Sequence, residues 1–337
     1  RLWRFNIDLQ SGELEGEPEA LLSGLPATIG ISISGDGKRL LCRQFNPVYN
    51  LWRVFFDDSS ESTSPRRKQL TFGTGAIRAP SISPDGQYMS YTAESGGESH
   101  VFVRLIEGGD AVQLTRTGII NNSSQWSPDG ERIAALGVES IEAGNFYLTV
   151  VNKDGSSLRR LFTFEGLPSD FWLDWSENDK IIVGCDDWNS LISVDTETGD
   201  TTSWEYDPTK GKIHRSRLSP DGRLMAVTRG RVGTPGADIW IYSMANDSSS
   251  LVIDFEAWVL DWSRDSRWVH CFTMDWVIAR VNVETSEIDT LAMFPDMDAI
   301  VSGHMVAMAP DGDWAIYQVG QVPRDIYLIE NFDPNVE

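Results

Sequence analysis

Four histidines, His100, His214, His270 and His304, are the side chains of this 337-residue chain best suited to metal or acid–base chemistry. None stands at the H-x-H or H-E-x-x-H spacing that would bring two imidazoles to one ion. His100 and His270 fall inside strand-like runs and read as packed residues, whereas His214 and His304 precede such runs and could face solvent. Oxygen ligands cluster at Asp186-Asp187-Trp188-Asn189 and at Asp296-Met297-Asp298. Neither stretch has the Gly and Glu placement of an EF-hand loop, so no cofactor is expected, with calcium as the alternative. The segment GISISG at Gly30 to Gly35 has a serine at the centre of a G-x-S-x-S run. It lacks the closing glycine of a nucleophile elbow and leads into a turn and strand instead of a helix. The expectation is a protein without catalytic residues.

A basic cluster stands out more. His214, Arg215, Arg229 and Arg231 lie close together in a chain whose 50 acidic and 28 basic residues leave a net charge of −22. Such a cluster could attract an anionic ligand or an acidic peptide, or its arginines could pair with acids such as Asp170 and Asp238. The overall charge argues against nucleic acid as a partner, because binding phosphates needs a basic face. No apolar run reaches the 18 residues that a membrane-spanning helix requires. Arg1 begins inside strand-like sequence, which reads as the cut edge of a longer chain.

The elements that must position these residues are written in a repeat. Short, mostly apolar strands run into a Ser-Pro-Asp-Gly-like turn and out into a second apolar strand, around Asp36, Asp85, Asp129, Asn178, Asp221, Asp265 and Asp311. The copies follow one another at 43 to 49 residues. That spacing, with period-two alternation, predicts the four-stranded blades of a β-propeller. Proline presets the first central φ of the turn, the aspartate accepts neighbouring backbone N–H groups, and glycine supplies the positive φ that re-enters the next strand. The turns are therefore scaffold. The fourth copy, Ser176-Glu177-Asn178-Asp179, and the sixth, Ser263-Arg264-Asp265-Ser266, depart from the pattern, which leaves their local geometry open.

The expected architecture is all-β: a single propeller domain over 1–337, built of antiparallel four-stranded blades beginning near 30, 77, 121, 170, 213, 257 and 303. Seven blades are preferred, with six or eight as alternatives. Residues 1–29 supply outer strands, with PEALLSG closing the ring and LWRFNID surplus, since an open edge would present unpaired backbone groups. Core material is ample at 41% hydrophobic residues, including 13 Trp and 14 Phe. Cys42, Cys185 and Cys271 fall on second strands of three different blades, too far apart for disulfides, and are expected as buried thiols.

Loops leading to first strands and loops joining second to third strands emerge on one face, where function concentrates. The longest second-to-third connections are Val138–Asn145 and Arg229–Asp238. With them the strand approaches contribute Arg78, Asn121, Asn122, Asp170, His214, Arg215, Arg229, Arg231, Glu256, Trp258 and His304 as candidate binding residues. Trp172, Trp188, Trp258 and Trp276 could be aromatic anchors, although packing between blades uses tryptophan equally.

The SPDG turns, the LWR and IWI third strands, the QLT ending of a fourth strand and the terminal DIYLIENF resemble the TolB-type, WD40-like propeller repeats of bacteria. In narrower detail they resemble C-terminal propellers of CadC-type regulators and of propeller-bearing serine/threonine kinases. The resemblance covers nearly the whole chain. It implies a non-catalytic propeller that binds or senses a protein, peptide or small anionic ligand within a larger bacterial protein, and it favours an extracytoplasmic setting. The same blades serve unrelated tasks. The competing expectation is an enzyme-associated propeller, either like the oligogalacturonate lyases or like the gating domain of a peptidase.

Overall fold

In the computed structural model the repeated turn is a closed hydrogen-bonded unit. Ser83 Oγ donates to Asp85 Oδ1 at 2.5 Å, the same carboxylate oxygen accepts the Gln87 N–H at 2.9 Å, and Tyr88 N–H returns to Ser83 Oγ at 2.9 Å. Gly86, at φ +71°, closes the turn onto the Ser83 carbonyl at 2.8 Å. The same arrangement recurs at Asp221 and Asp265, where it holds both carboxyls below the usual aspartate range; the Ser219 and Ser263 hydroxyls are the leading causes. The two departures keep this shape. Asp179 and Ser266 stand in the glycine slot at φ +59° each and close onto Ser176 and Ser263 at 3.1 and 3.0 Å.

The structure describes residues 2–8, 10–22, 28–36, 38–44, 48–56, 66–95, 98–116, 119–140, 145–165, 172–184, 190–205, 209, 211–232, 236–246, 248–294, 306–321 and 326–330. Among them every extended regular element is a strand, and no helix is long and apolar enough to cross a membrane. The chain divides into two compact units, one of 1–48 with 321–337 and one of 49–320.

In the first unit, β1 (Leu2–Ile7) pairs antiparallel with β2 (Leu14–Leu22), and β3 (Thr28–Ile33) pairs with β4 (Arg39–Gln44). The second unit holds β5 (Val48–Phe55) and β6 (Arg67–Gln69), followed by five consecutive four-stranded sheets. The sheet around Asp85 is β7 (Ile77–Ile82), β8 (Tyr88–Ser95), β9 (Glu98–Leu105) and β10 (Val112–Gln113). The sheet around Asp129 is β11 (Ile119–Trp126), β12 (Arg132–Ser140), β13 (Asn145–Asn152) and β14 (Arg159–Glu165). Next come β15 (Leu173–Trp175), β16 (Lys180–Gly184), β17 (Ser190–Asp195) and β18 (Thr201–Glu205) around Asn178. Then follow β19 (Ile213–Leu218), β20 (Leu224–Gly230), β21 (Ala237–Ser243) and β22 (Ser249–Ile253) around Asp221. The fifth is β23 (Ala257–Trp262), β24 (Trp268–Thr273), β25 (Val277–Asn282) and β26 (Ile288–Met293). A sixth sheet joins β27 (Val306–Met308) and β28 (Trp314–Gln321) to β5 and β6. Finally β29 (Ile326–Glu330) returns to the first unit and pairs with β4.

The first strands of the six sheets, β7, β11, β15, β19, β23 and β27, neighbour one another in a closed cycle. The second unit is thus a ring of six blades, closed where strands from the two ends of the chain meet in one sheet. That closure removes the free edges an open array would leave. Apolar side chains on facing sheets fill the spaces between blades. Leu148, Ile181 and Val183 pack with Trp175 in one cluster, and Ile239, Val259 and Val269 with Trp262 in another.

Two pairings differ from the expected ones among the described residues. Strand β5 pairs with β28 while β29 pairs with β4, so the first copy of the repeat lies in a three-stranded sheet of the first unit. Strand β2, which holds Pro18–Leu22 of PEALLSG, takes β1, within LWRFNID, as its partner. Strands of similar alternation offer similar ladders, so the sequence pattern alone does not choose between these partners. Cys42 and Cys271 are buried free thiols, and Cys185 lies outside the described residues.

Candidate functional site

Blade loops bring one group of side chains together beside β19, β20 and β23. The His214 ring meets the Trp258 indole edge-on, with centroids 5.3 Å apart and planes at 67°. Arg231, just past the end of β20, donates from Nε to Asp238 Oδ1 at 2.7 Å, and its Nη2 stands 2.5 Å from the same oxygen as an ion pair. It also donates to the Asp254 carbonyl. The bond to Asp238 leads the causes that strengthen the protonated form of Arg231. Glu256 completes the group: a Cβ placed on Gly236 would meet both the Arg231 guanidinium at 3.7 Å and Glu256 Oε2 at 3.9 Å.

Around this polar group stand three apolar side chains that sequence reading missed. Val232 is 65% exposed, Phe255 39% and Met274 54%. They sit on the β20–β21, β22–β23 and β24–β25 loops, and the Met274 N–H reaches the Glu256 carbonyl at 3.4 Å. Isolated apolar residues in loops carry no periodic signal, so only the fold reveals that these three share a face.

The basic cluster does not survive as a surface patch. Arg229 is 3% exposed; its Nε donates to the Gly211 carbonyl at 3.2 Å and its Nη1 to the Tyr242 hydroxyl. The β19 ladder shifts register between Ile213 and Arg215, a bulge that turns Arg215 inward. Arg215 and Arg217 line the central cavity with Ser81, Gln125, Trp172 and Asp261. There Arg215 Nη2 lies 3.5 Å from the Leu260 carbonyl, and Arg217 Nη1 donates to the Leu173 carbonyl at 3.0 Å and stands 3.8 Å from Asp174 Oδ1. Burial raises the Asp261 carboxyl above its ordinary range, Arg217 and Arg215 oppose that rise, and Asp174 adds to it. Arg215, Arg217 and Asp261 thus face one cavity, and Asp174 stands beside Arg217.

The other candidates are dispersed. Arg78 lies on β7, three places round the ring from β19, with its guanidinium 4.9 Å from the Tyr49 ring centroid. Asn121 and Asn122 belong to β11, although their side chains, like Asp170, His304, Trp188 and both Asp-rich stretches, lie outside the described residues. His100 and His270 are 4% and 3% exposed, and Trp172 is 5% exposed. Among the described residues no three His, Cys, Asp or Glu side chains are grouped to hold a metal ion.

These sheets define a β-propeller, and solved structures place it within that class. A structure described as putative TolB from Agrobacterium tumefaciens superposes with a TM-score of 0.62 at 19% identity, covering 82% of this chain and 99% of that one. TolB from Acinetobacter baumannii gives 0.53 at 14%, covering 87% and 66%. The fold is therefore that of the TolB-like propellers. In sequence, the chain is 29% identical over 197 residues to the uncharacterized protein Atu1656 of Agrobacterium fabrum, spanning 56% of this chain and 62% of that protein. It is 36% identical over 86 residues to the Tol-Pal system protein TolB of Francisella tularensis subsp. mediasiatica, spanning 25% of this chain and 19% of that one. A match to TolB of subsp. tularensis runs over 185 residues at 28%, or 54% and 41%. The matches thus span less than two thirds of these relatives' own lengths. No family model matches the chain.

Proposed function

We propose that this chain is a non-catalytic, protein-binding propeller that engages its partner through the face carrying His214, Arg231, Glu256 and Trp258. The observation that carries this reading is the exposure of Val232, Phe255 and Met274 on loops beside that polar group. Exposed apolar side chains held on rigid loops beside charged groups are a feature of binding surfaces. The similarity to TolB supports it, since those relatives are named as proteins of the Tol-Pal system. A sensing role within a larger bacterial protein is the finer form of the same proposal.

The test is affinity capture from an extract of the source cells, with the wild-type chain and the variants Trp258→Ala, Phe255→Ala and Arg264→Ala as baits. A partner retained by the wild type and by Arg264→Ala, a turn-side control, but lost with Trp258→Ala and Phe255→Ala is the expected result. Retention indifferent to all three substitutions would contradict the assignment of the face. Formation of an unsaturated product from oligogalacturonate with added manganese would instead favour the lyase alternative.

A further inference from the structure

The cavity at the centre of the ring encloses about 70 Å³, several times the space one water molecule needs. Its walls come from the first strands of the blades, among them Arg215 and Arg217 on β19 and Asp261 on β23, with Trp172 just ahead of β15. Arg217 is 7% exposed and Trp172 5%.

Both of these side chains carry a buried donor without an acceptor among the described residues. The hydrogen bonds of Arg217 leave from Nη1, to the Leu173 carbonyl at 3.0 Å and the Ser216 carbonyl at 3.4 Å, while its Nε is buried with no partner. The Trp172 indole N–H is likewise buried with no partner. Neither nearby aspartate fills the gap. Asp174 stands 3.8 Å from Nη1, beyond hydrogen-bond reach, and its oxygens accept the Trp175 and Leu218 N–H groups at 3.1 and 2.8 Å. Asp261 Oδ1 accepts the Trp262 N–H at 2.8 Å. A buried donor left unpaired costs about 1–3 kcal/mol, so two beside one cavity mark a place for an acceptor.

The open edge of Arg217 has a definite shape. Nε–H and one N–H of Nη2 run parallel in the guanidinium plane, the side-on fork that matches the two oxygens of a carboxylate. A carboxylate that takes both still has lone pairs for the indole N–H. Burial also draws Asp261 toward its neutral form, which weakens the negative charge set against the two arginines.

We propose that this cavity binds a small carboxylate, held side-on by Nε and Nη2 of Arg217 and capped by the Trp172 indole N–H. The space suits an acid the size of acetate. The site lies inside the ring and does not depend on the loop face proposed above.

The experiment titrates the full chain, labelled with 15N at its tryptophan indoles, with sodium acetate and, at the same ionic strength, with acetamide, which keeps the size but has one acceptor oxygen. Trp172→Phe assigns the reporting resonance among the 13 tryptophans. Acetate is expected to move the Trp172 indole N–H downfield saturably, with acetamide about tenfold weaker or more. Arg217→Lys keeps the charge but removes the fork, and should weaken acetate binding about tenfold. Trp172→Phe, which leaves Arg217 in place, should also weaken it, as read from the line broadening of 13C-acetate. No saturable shift at tens of millimolar acetate, which would leave the cavity to water alone, would overturn the proposal. So would an equal response to acetamide, or acetate binding unchanged by either substitution.

Discussion

Asp179 accepts two hydrogen bonds from Arg132 of the preceding blade, at 3.2 and 3.0 Å, from a position where most copies of the repeat place glycine. The Trp175 indole N–H donates to the same carboxylate at 2.8 Å, and the Arg132 guanidinium lies 5.1 Å from the Trp175 ring centroid. Aspartate tolerates the left-handed backbone better than most residues, so the departure costs little and ties two blades together. Their side chains are 27% and 36% exposed, so water and salt weaken the pair. A double-mutant cycle of Arg132→Ala and Asp179→Gly should give a coupling of about 1 kcal/mol in urea unfolding. Additive effects would show that the two residues do not act as a pair.

How far the sequence could be read follows from cases such as this. The turn around Asp179 was legible as a hairpin because its hydrogen bonds are local. The choice of β28 as partner for β5 was not, because β4 and β29 offer the same alternation and ring closure is decided between strands at opposite ends of the chain. Candidate residues fared likewise. His214 and Trp258 sit together, whereas Arg215 and Arg229, which read as surface charges, are carried inward on β19 and β20 by strand geometry that a bulge had altered.

Asp174 and Arg217, 3.8 Å apart, are 9% and 8% exposed by side chain. Asp174 also accepts the Leu218 N–H at 2.8 Å, so it joins two blades. Asp174→Ala would leave a buried guanidinium without its counter-charge and should destabilise the fold by about 3 kcal/mol. Pairing it with Arg217→Leu should recover part of that loss, and a double variant as unstable as the sum of the singles would argue against a compensated pair.

His270 sets an acid limit on stability. Burial, with help from the positive charge of Arg280, lowers its pKa from 6.5 to about 4, against a hydrogen bond to the Asp261 backbone that raises it. The folded state therefore keeps this ring neutral while the unfolded chain takes up a proton below about pH 6.5. Stability should be full above that value and fall as pH drops toward about 4, by about 3 kcal/mol in all. Denaturant midpoints at pH 7 and pH 4.5 check this: His270→Leu should show the smaller decline, and equal slopes would remove His270 as the cause.

The packing between blades makes a further expectation simple. Leu148 and Ile181 are fully buried in one interblade cluster, and truncating either to alanine should cost about 2–5 kcal/mol. Thermal unfolding measures it, and a loss below about 1 kcal/mol would show that the blades are not packed as described.

The binding face itself is tested most directly by photo-cross-linking. Benzoylphenylalanine placed at Phe255, among Val232, Met274 and Trp258, should yield a discrete protein adduct in an extract of the source cells, while the same group at Arg264 on the turn side should not. Absence of an adduct at 255, or equal adducts at both positions, would contradict a partner held on this face.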